Sequence, residues 1–251
     1  MSDIIARLDD VTLAYGDRVV LKNCTLDIVE GAITCIIGLS GAGKSTIVRL
    51  LDGLRKPEVG HVYIRNIDIC HISETQLNEV RRSISLSFQF AALLDSLTVG
   101  ENVALPLREH TRDPDAQIRQ IVEDALDSVG LAHTYDNMPS ELSGGMLKRA
   151  GFARAIVTKP DLILYDEPTT GLDPIVTHLI TDTIIHLRQK LGGTAVVISH
   201  DLQSIYMMAD YVAMLFEGAI IGYGTVDEIK RSMNPIVQQF IAGSEVGPIP
   251  I

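Results

Sequence analysis

The sequence predicts an α/β fold, in which a parallel sheet is covered by helices on both faces, joined by an N-terminal antiparallel β subdomain and interrupted by an inserted helical subdomain. Three observations predict it. The short apolar runs "AITCIIG", "LILYDE" and "TAVVISH" each lead into a loop and then a helical pattern, which is the rhythm of buried parallel strands. The early stretch "IARLDDVTLAYGDRVVLKNCTLDI" alternates polar and apolar residues instead. The segment from about residue 91 to residue 160 is poor in strand signals and rich in helical spacing.

The elements follow in chain order. The alternating N-terminal stretch predicts two strands joined at Tyr15-Gly16-Asp17, and "GHVYIRNIDI" extends the same small sheet. "AITCII" predicts a core strand and "TIVRLLDGL" the helix after it. Within the helical segment, Ile118, Ile121, Val122, Ala125, Leu126 and Val129 recur at three- and four-residue steps and mark one amphipathic helix. "ELSGGMLKRAGFARAIV" predicts another, which Ser143 caps. Leu179, Ile180, Thr183, Ile184, Leu187 and Leu191 predict a third after "LILYDE". "YVAMLFEGAIIGYG" is split by Glu217-Gly218 and predicts a hairpin. The expected organisation is one domain over residues 1–251: residues 1–90 and 161–235 form the core with its β subdomain, 91–160 the helical subdomain and 236–251 a C-terminal extension.

Composition narrows the function. With 46% hydrophobic residues in 251, the chain buries a sizeable core. A balance of 21 basic against 32 acidic residues, net charge -11, argues against a nucleic-acid partner. No apolar run reaches the roughly 18 residues that a membrane span needs. Cys24, Cys35 and Cys70 lack the spacing of a metal or redox motif, and the acidic "MSDIIARLDD" is unlike a signal peptide, so the expected setting is a reducing cytoplasm.

The chemistry begins at "GLSGAGKST", Gly38 to Thr46, which fits G-x-x-x-x-G-K-[ST] between a strand and a helix. Gly38, Ser40, Gly41, Ala42, Gly43 and Thr46 belong to a loop whose N–H groups curl around phosphates, Lys44 supplies a point charge for the β/γ oxygens, and the Ser45 hydroxyl can ligate magnesium. "LILYDEP" delivers Asp166 and Glu167 to the carboxyl edge of a strand, the first for the magnesium shell and the second to activate a water. "VVISHD" brings His200 to the same edge, and Gln89 in "SLSFQF" follows another β-like run and can touch metal or water. Tyr15 offers a face for adenine. Taken singly, "DEP" fits an ordinary turn equally well, His200 a structural imidazole, Gln89 a loop amide and Tyr15 a common strand aromatic.

A second anion site stands at Ser143, Gly144 and Gly145, where a helix N-terminus and two glycines favour negative charge. Tyr15, "GLSGAGKST", Gln89, "LSGG", "LILYDE", "GLD" and His200, in this order and spacing over nearly the whole chain, resemble the ATP-binding cassette ATPases. The resemblance implies a RecA-like P-loop core, ATP and Mg2+ as ligands, Ser45, Gln89 and Asp166 around the metal, and Glu167, His200, Gln89 and Lys44 in catalysis. It also implies a head-to-tail dimer with a second copy, in which Ser143, Gly144 and Gly145 close over the partner's ATP and Asp173 lies at the seam.

Met146 replaces the Gln usual after "LSGG". "LSGGM", "NVALPLREH", "LYDEPTTGLDPI" and "VQQFIAGSEVGPIPI" together resemble the ATPase of the Mla/Mce-type lipid transporters. That resemblance implies a membrane permease dimer, an MCE-domain lipid-binding protein, in some systems a STAS-domain subunit, and a place on the cytoplasmic face of the inner membrane. An ATPase serving another solute, or a soluble one of iron-sulfur cluster assembly, stays open. For the C-terminal stretch, Ile236, Val237, Phe240 and Ile241 form one helical stripe that Gly243 stops. The apolar "EVGPIPI" beyond it reads either as a tail packed on its own core or frayed, or as a segment that docks on a second ATPase chain or a regulatory subunit.

Overall fold

The computed structural model describes residues 3–89 and 91–250. β1 (Ile4–Tyr15) and β2 (Arg18–Val29) pair antiparallel around Gly16 and Asp17, with Tyr15 opposite Arg18. β4 (Val59–Ile64) runs antiparallel to the other side of β1, and the short β5 (Ile67–Asp68) closes the sheet in the order β2-β1-β4-β5. The second sheet has the order β10-β9-β3-β8-β7-β6. In it β3 (Ile33–Ile37), β6 (Ile84–Ser87), β7 (Leu162–Asp166), β8 (Thr194–Ile198) and β9 (Tyr211–Phe216) run parallel, and β10 (Ala219–Gly224) adds an antiparallel edge. The hairpin turn falls at Glu217 and Gly218, both with positive φ (48° and 82°), the geometry that two-residue hairpins require. The backbone N–H of Lys22 donates to the Gly218 carbonyl and ties the two sheets together.

Why the core strands are apolar without alternation is visible in the packing. Both faces of the parallel sheet are covered, so each odd-even pair of side chains enters a different core. Cys35, Ile37, Ile163, Tyr165 and Val197 face one cluster, shared with α3 (Val99–His110), α4 (Asp115–Ser128), α5 (Gly144–Ile156), α6 (Pro174–Leu191) and α7 (Leu202–Met208). Ile36, Leu162, Leu164, Val196 and Ile198 face the other, shared with α1 (Lys44–Leu51), α2 (Glu74–Arg81) and the antiparallel sheet. A 3-10 turn at Pro139–Glu141 precedes α5, and α8 (Val226–Lys230) and α9 (Pro235–Ala242) follow β10.

Local chemistry sets the helix ends. Ser143 Oγ accepts the Met146 N–H at the start of α5. Thr98 caps α3 in a capping box with Glu101, and Asp173 caps α6 by accepting the Ile175 and Val176 N–H groups. α4 ends one residue before Val129, the last member of the stripe that predicts it. α9 ends at Gly243 in the left-handed region, as the stop signal requires.

Residues 244–250 then turn back along α9. The buried Gln239 side chain accepts the Ile249 N–H (2.6 Å) and donates to the carbonyls of Ser244 (3.2 Å) and Ile249 (3.3 Å), and Ile249 itself is buried. Ile249 is thus anchored on α9, while residues 244–248 stay exposed. All three cysteines are free thiols, and burial pushes Cys24 up to about 12 and Cys35 higher still. Among the described residues no helix is long and apolar enough to cross a membrane.

Candidate functional site

The site lies at the carboxyl edge of the parallel sheet. β3 ends at Ile37, and Gly38 follows at φ 147°, where a Cβ would stand 2.2 Å from the Leu215 carbonyl oxygen, so only glycine leaves the strand here. Gly43, at φ 106°, turns the chain into α1 against Val20. Between them Gly41 and Ser40 are exposed and Ala42 packs inward against the second core. The buried Lys44 donates through Nζ to the carbonyls of Gly38 (2.9 Å) and Leu39 (3.0 Å). Burial lowers its pKa, and the nearby Glu167 and Asp166 charges oppose that.

Adjacent strands bring the acids. Ser45 Oγ donates to Asp166 Oδ1 at 3.0 Å across the α1–β7 boundary. Burial raises the Asp166 pKa, while the Ser45 hydrogen bond holds it down. Glu167 stands at φ 52°, a left-handed conformation costly for a non-glycine residue and concentrated at functional sites. Its N–H donates to the Ile198 carbonyl of the next strand, which locks the turn. Glu167 Oε2 accepts from Thr170 Oγ1 at 2.9 Å and lies 2.8 Å from His200 Nδ1. The base-capable carboxylate is thereby oriented from two sides.

A cavity of about 450 Å3 joins these groups; Tyr15, Ser40, Gly41, Gly43, Lys44, Ser45, Thr46, Gln89, Glu167 and His200 all line it. Ten residues singled out by motif alone therefore share one wall. Gly38 lies beneath the loop and Asp166 behind Ser45. Tyr15 is half exposed, and the Arg55 guanidinium sits 5.1 Å from its ring centroid, covering one face of the ring by a cation–π contact. Ser45, Asp166 and Gln89 form an all-oxygen donor set, the set that suits a hard divalent cation such as Mg2+.

Ser143, Gly144 and Gly145 are not on this wall. Ser143 and Gly144 are exposed at the N-terminus of α5, close to the start of α6. Gly145 differs from the sequence expectation in its physical reason: it is buried, and a Cβ there would meet Val176 at 2.5 Å, so the glycine is needed for helix-helix packing. Gly144, with nothing nearer than 3.9 Å, is the glycine open to a ligand. The Asp173 carboxylate is engaged in capping α6.

Three neighbours carry no motif signal. Arg18 reaches over the loop to the Gly41 carbonyl (3.3 Å) and lines the cavity. Thr170 holds Glu167, and the buried Lys148 of α5 donates to the Thr170 carbonyl at 2.8 Å. A larger hollow of about 790 Å3 lies on the antiparallel sheet, by Asp3–Arg7, Glu30, Tyr63, Arg65 and Asn66. It contains none of the strand-end carboxylates, and its Arg65 is paired with Glu30 and Asp161.

Residues 21–170 match the family model described as ABC transporter. The chain is 41% identical over 249 residues, 99% of its length and 94% of the relative's, to the intermembrane phospholipid transport system ATP-binding protein MlaF of Haemophilus influenzae. It is 37% identical to the probable ribonucleotide transport ATP-binding protein mkl of Mycobacterium leprae, over 95% of this chain and 69% of that one. Among solved structures, the ATP-binding cassette MJ0796, a dimer in a post-hydrolysis state with ADP and Pi, superposes with a TM-score of 0.80 at 33% identity, over 88% of this chain and 98% of that one. CbiO1 of Clostridium perfringens, part of the transporter complex cbiONQ, gives a TM-score of 0.84 at 29% identity over 95% of both.

Proposed function

Because this chain belongs to the ABC transporter family of ATP-hydrolysing subunits, we propose that it powers the movement of phospholipid between membranes. The observation that carries this reading is the 41% identity spread over 99% of the chain, to a relative whose name gives that role. The second reading, transport of another solute, has the 37% identity to the ribonucleotide-transport relative in its favour, but that relative extends well beyond the match.

ATP binds in the cavity above Lys44, with its phosphates against the N–H groups of residues 40–46 and its base toward Tyr15. Ser45, Asp166 and Gln89 would hold Mg2+, which when bound would neutralise phosphate charge. Glu167 orients and deprotonates the attacking water. Thr170 and His200 fix its carboxylate, and His200 also senses the γ-phosphate. Ser143, Gly144 and Gly145 lie away from the chain's own cavity, with Ser143 and Gly144 exposed, so this helix end acts on the ATP of a second copy, and the dimeric state of the MJ0796 cassette supports that arrangement. Closure of the dimer drives a permease dimer, which holds the chain at the cytoplasmic face of the inner membrane; an MCE-domain lipid-binding protein and, as in some systems of this type, a STAS-domain subunit are the further partners of this reading.

The test is purification of the tagged chain from its own membranes, with identification of the proteins and lipids that accompany it. ATP-dependent transfer of a labelled phospholipid between vesicles by the recovered complex is the expected result. Recovery with a permease that moves a water-soluble solute, or with none, overturns the lipid assignment.

A further inference from the structure

Outside the cavity of the strand-end carboxylates, the sheet β2-β1-β4-β5 carries a second set of convergent ligands. His61 lies on β4, Asp68 on β5, and His71 in the bend between β5 and α2. Asp68 is paired with Tyr63, two residues from His61, and the two-residue period of a strand puts His61, Tyr63 and Asp68 on one face. The Nδ1 atoms of His61 and His71 each lie 2.8 Å from the same oxygen, Asp68 Oδ2. The two imidazole rings stand 5.4 Å apart, and His61 also stacks on Tyr63 at 5.9 Å. One ligand atom from each of the three residues falls within 4.8 Å of the others.

The surroundings hold this set in place. The other carboxylate oxygen, Oδ1, accepts the Cys70 N–H at 3.0 Å, which leaves Oδ2 aimed at the imidazoles. The Cys70 carbonyl is in turn held by Lys56 Nζ at 2.9 Å. Anchoring of a ligating carboxylate by an outer hydrogen bond is what orients ligands at metal sites. A single divalent ion bound by both Nδ1 atoms and Oδ2 would engage all three groups at once.

We propose that His61, Asp68 and His71 form a binding site for one divalent transition-metal ion of the zinc class, which clips β4, β5 and the lead into α2 together. Two nitrogen donors and one carboxylate favour such an ion over Mg2+ or Ca2+, with water completing the shell. Ligand atoms ~2.0–2.1 Å from a tetrahedral ion are ~3.3 Å apart. The present 2.8 Å contacts therefore need to open by only about half an ångström, which the exposed His71 and the partly exposed His61 can accommodate.

The experiment titrates the untagged, metal-stripped, nucleotide-free chain with Zn2+ by calorimetry and repeats the titration with Co2+ by visible absorption. One saturable equivalent is expected, with a rise in melting temperature. His61→Ala and His71→Ala should each weaken binding by at least ~10-fold, the lower bound for losing merely an outer-shell partner, and the double variant should abolish that equivalent. If the double variant is unstable, His71→Ala alone decides, because that side chain is 69% exposed and its removal leaves packing intact. Zinc binding of unchanged affinity and stoichiometry in His71→Ala, or no saturable equivalent in the parent chain, overturns the proposal.

Discussion

Replacement of Glu167 by Gln separates the proposed chemistry from the architecture around it. The amide keeps the size, and its one acceptor oxygen can take the Oε2 position that both Thr170 and His200 contact, so both contacts survive without the carboxylate's charge. Even a loss of about 1 kcal/mol, the net worth of a neutral hydrogen bond, would lower the melting temperature of a chain of this size by only about 2–4 °C. The chemical step suffers far more. A positioned general base contributes ~10²- to 10⁴-fold, or roughly 3–5 kcal/mol of barrier. Because the groups expected to hold the nucleotide are Lys44 and the loop around it, ATP affinity should change by only a few-fold. Steady-state phosphate release by the assembled complex, beside binding of a fluorescent ATP analogue to the same protein, measures both quantities. Turnover within about tenfold of the parent, or a loss of nucleotide binding that matches the loss of turnover, would refute the assignment of Glu167 as the base.

Lys44→Ala should instead weaken ATP binding itself, since its buried ammonium is the fixed cation of the loop; binding that stays intact by fluorescence titration argues against it. A mixture of Lys44→Ala and Ser143→Arg chains should regain closure or hydrolysis absent from either alone, read by cross-linking and phosphate release, because one composite site is then whole. Asp52, at the C-terminal cap of α1, is raised from 3.8 to about 6 by burial, against the pull of Arg81. The folded state thus binds that proton more tightly than the unfolded one, so stability falls as pH climbs from about 4 to 6. Asp52→Asn should remove up to about 3 kcal/mol of that fall, seen in urea melts at pH 4 and pH 7. Gln239→Ala leaves the Ile249 backbone unpaired and should cost about 1–3 kcal/mol, matching deletion of residues 244–251; a deletion that alters self-association while Gln239→Ala leaves the melt unchanged favours a docking tail instead.

What the sequence disclosed about the site is what spacing alone encodes. "GLSGAGKST" needs its glycines and its lysine at fixed steps because the backbone itself is the ligand, so the pattern and the geometry are one statement. Strand ends are equally legible: an apolar run that stops at a carboxylate or an imidazole places that group at the sheet edge, and Asp166, Glu167 and His200 all arrive there. The contacts that orient Glu167 are only partly local. Thr170 lies three residues on in the same loop, whereas His200 meets it because β7 and β8 are neighbours, and its positive φ is held by a hydrogen bond to β8. Arg18 and Lys148 are ordinary surface-type residues in any local window. Among the elements, α2 has one buried side chain and too little apolar pattern to announce it, and α3 carries Pro106 inside. Gly145 adds a reason that the motif does not carry, since a Cβ there would meet Val176 of α6.

The position of α5 links these separate pieces. Its exposed N-terminus presents Ser143 and Gly144, the surface proposed to meet a second copy's phosphate. One turn on, Lys148 grips the Thr170 carbonyl, and Thr170 holds the Glu167 carboxylate at 2.9 Å. Two turns further, Arg154 donates to the carbonyls of Ala91 and Ala92, both held at positive φ, in the segment just after Gln89. Burial disfavours the charged forms of Lys148 and Arg154, so each carbonyl contact helps to compensate a desolvated cation and resists breaking. A displacement of α5 therefore cannot be absorbed at one end. It would shift the Glu167 loop and the Gln89 segment together, and that would give the proposed closure over a partner's phosphate a mechanical route both to the attacking water and to the surface expected to face a permease.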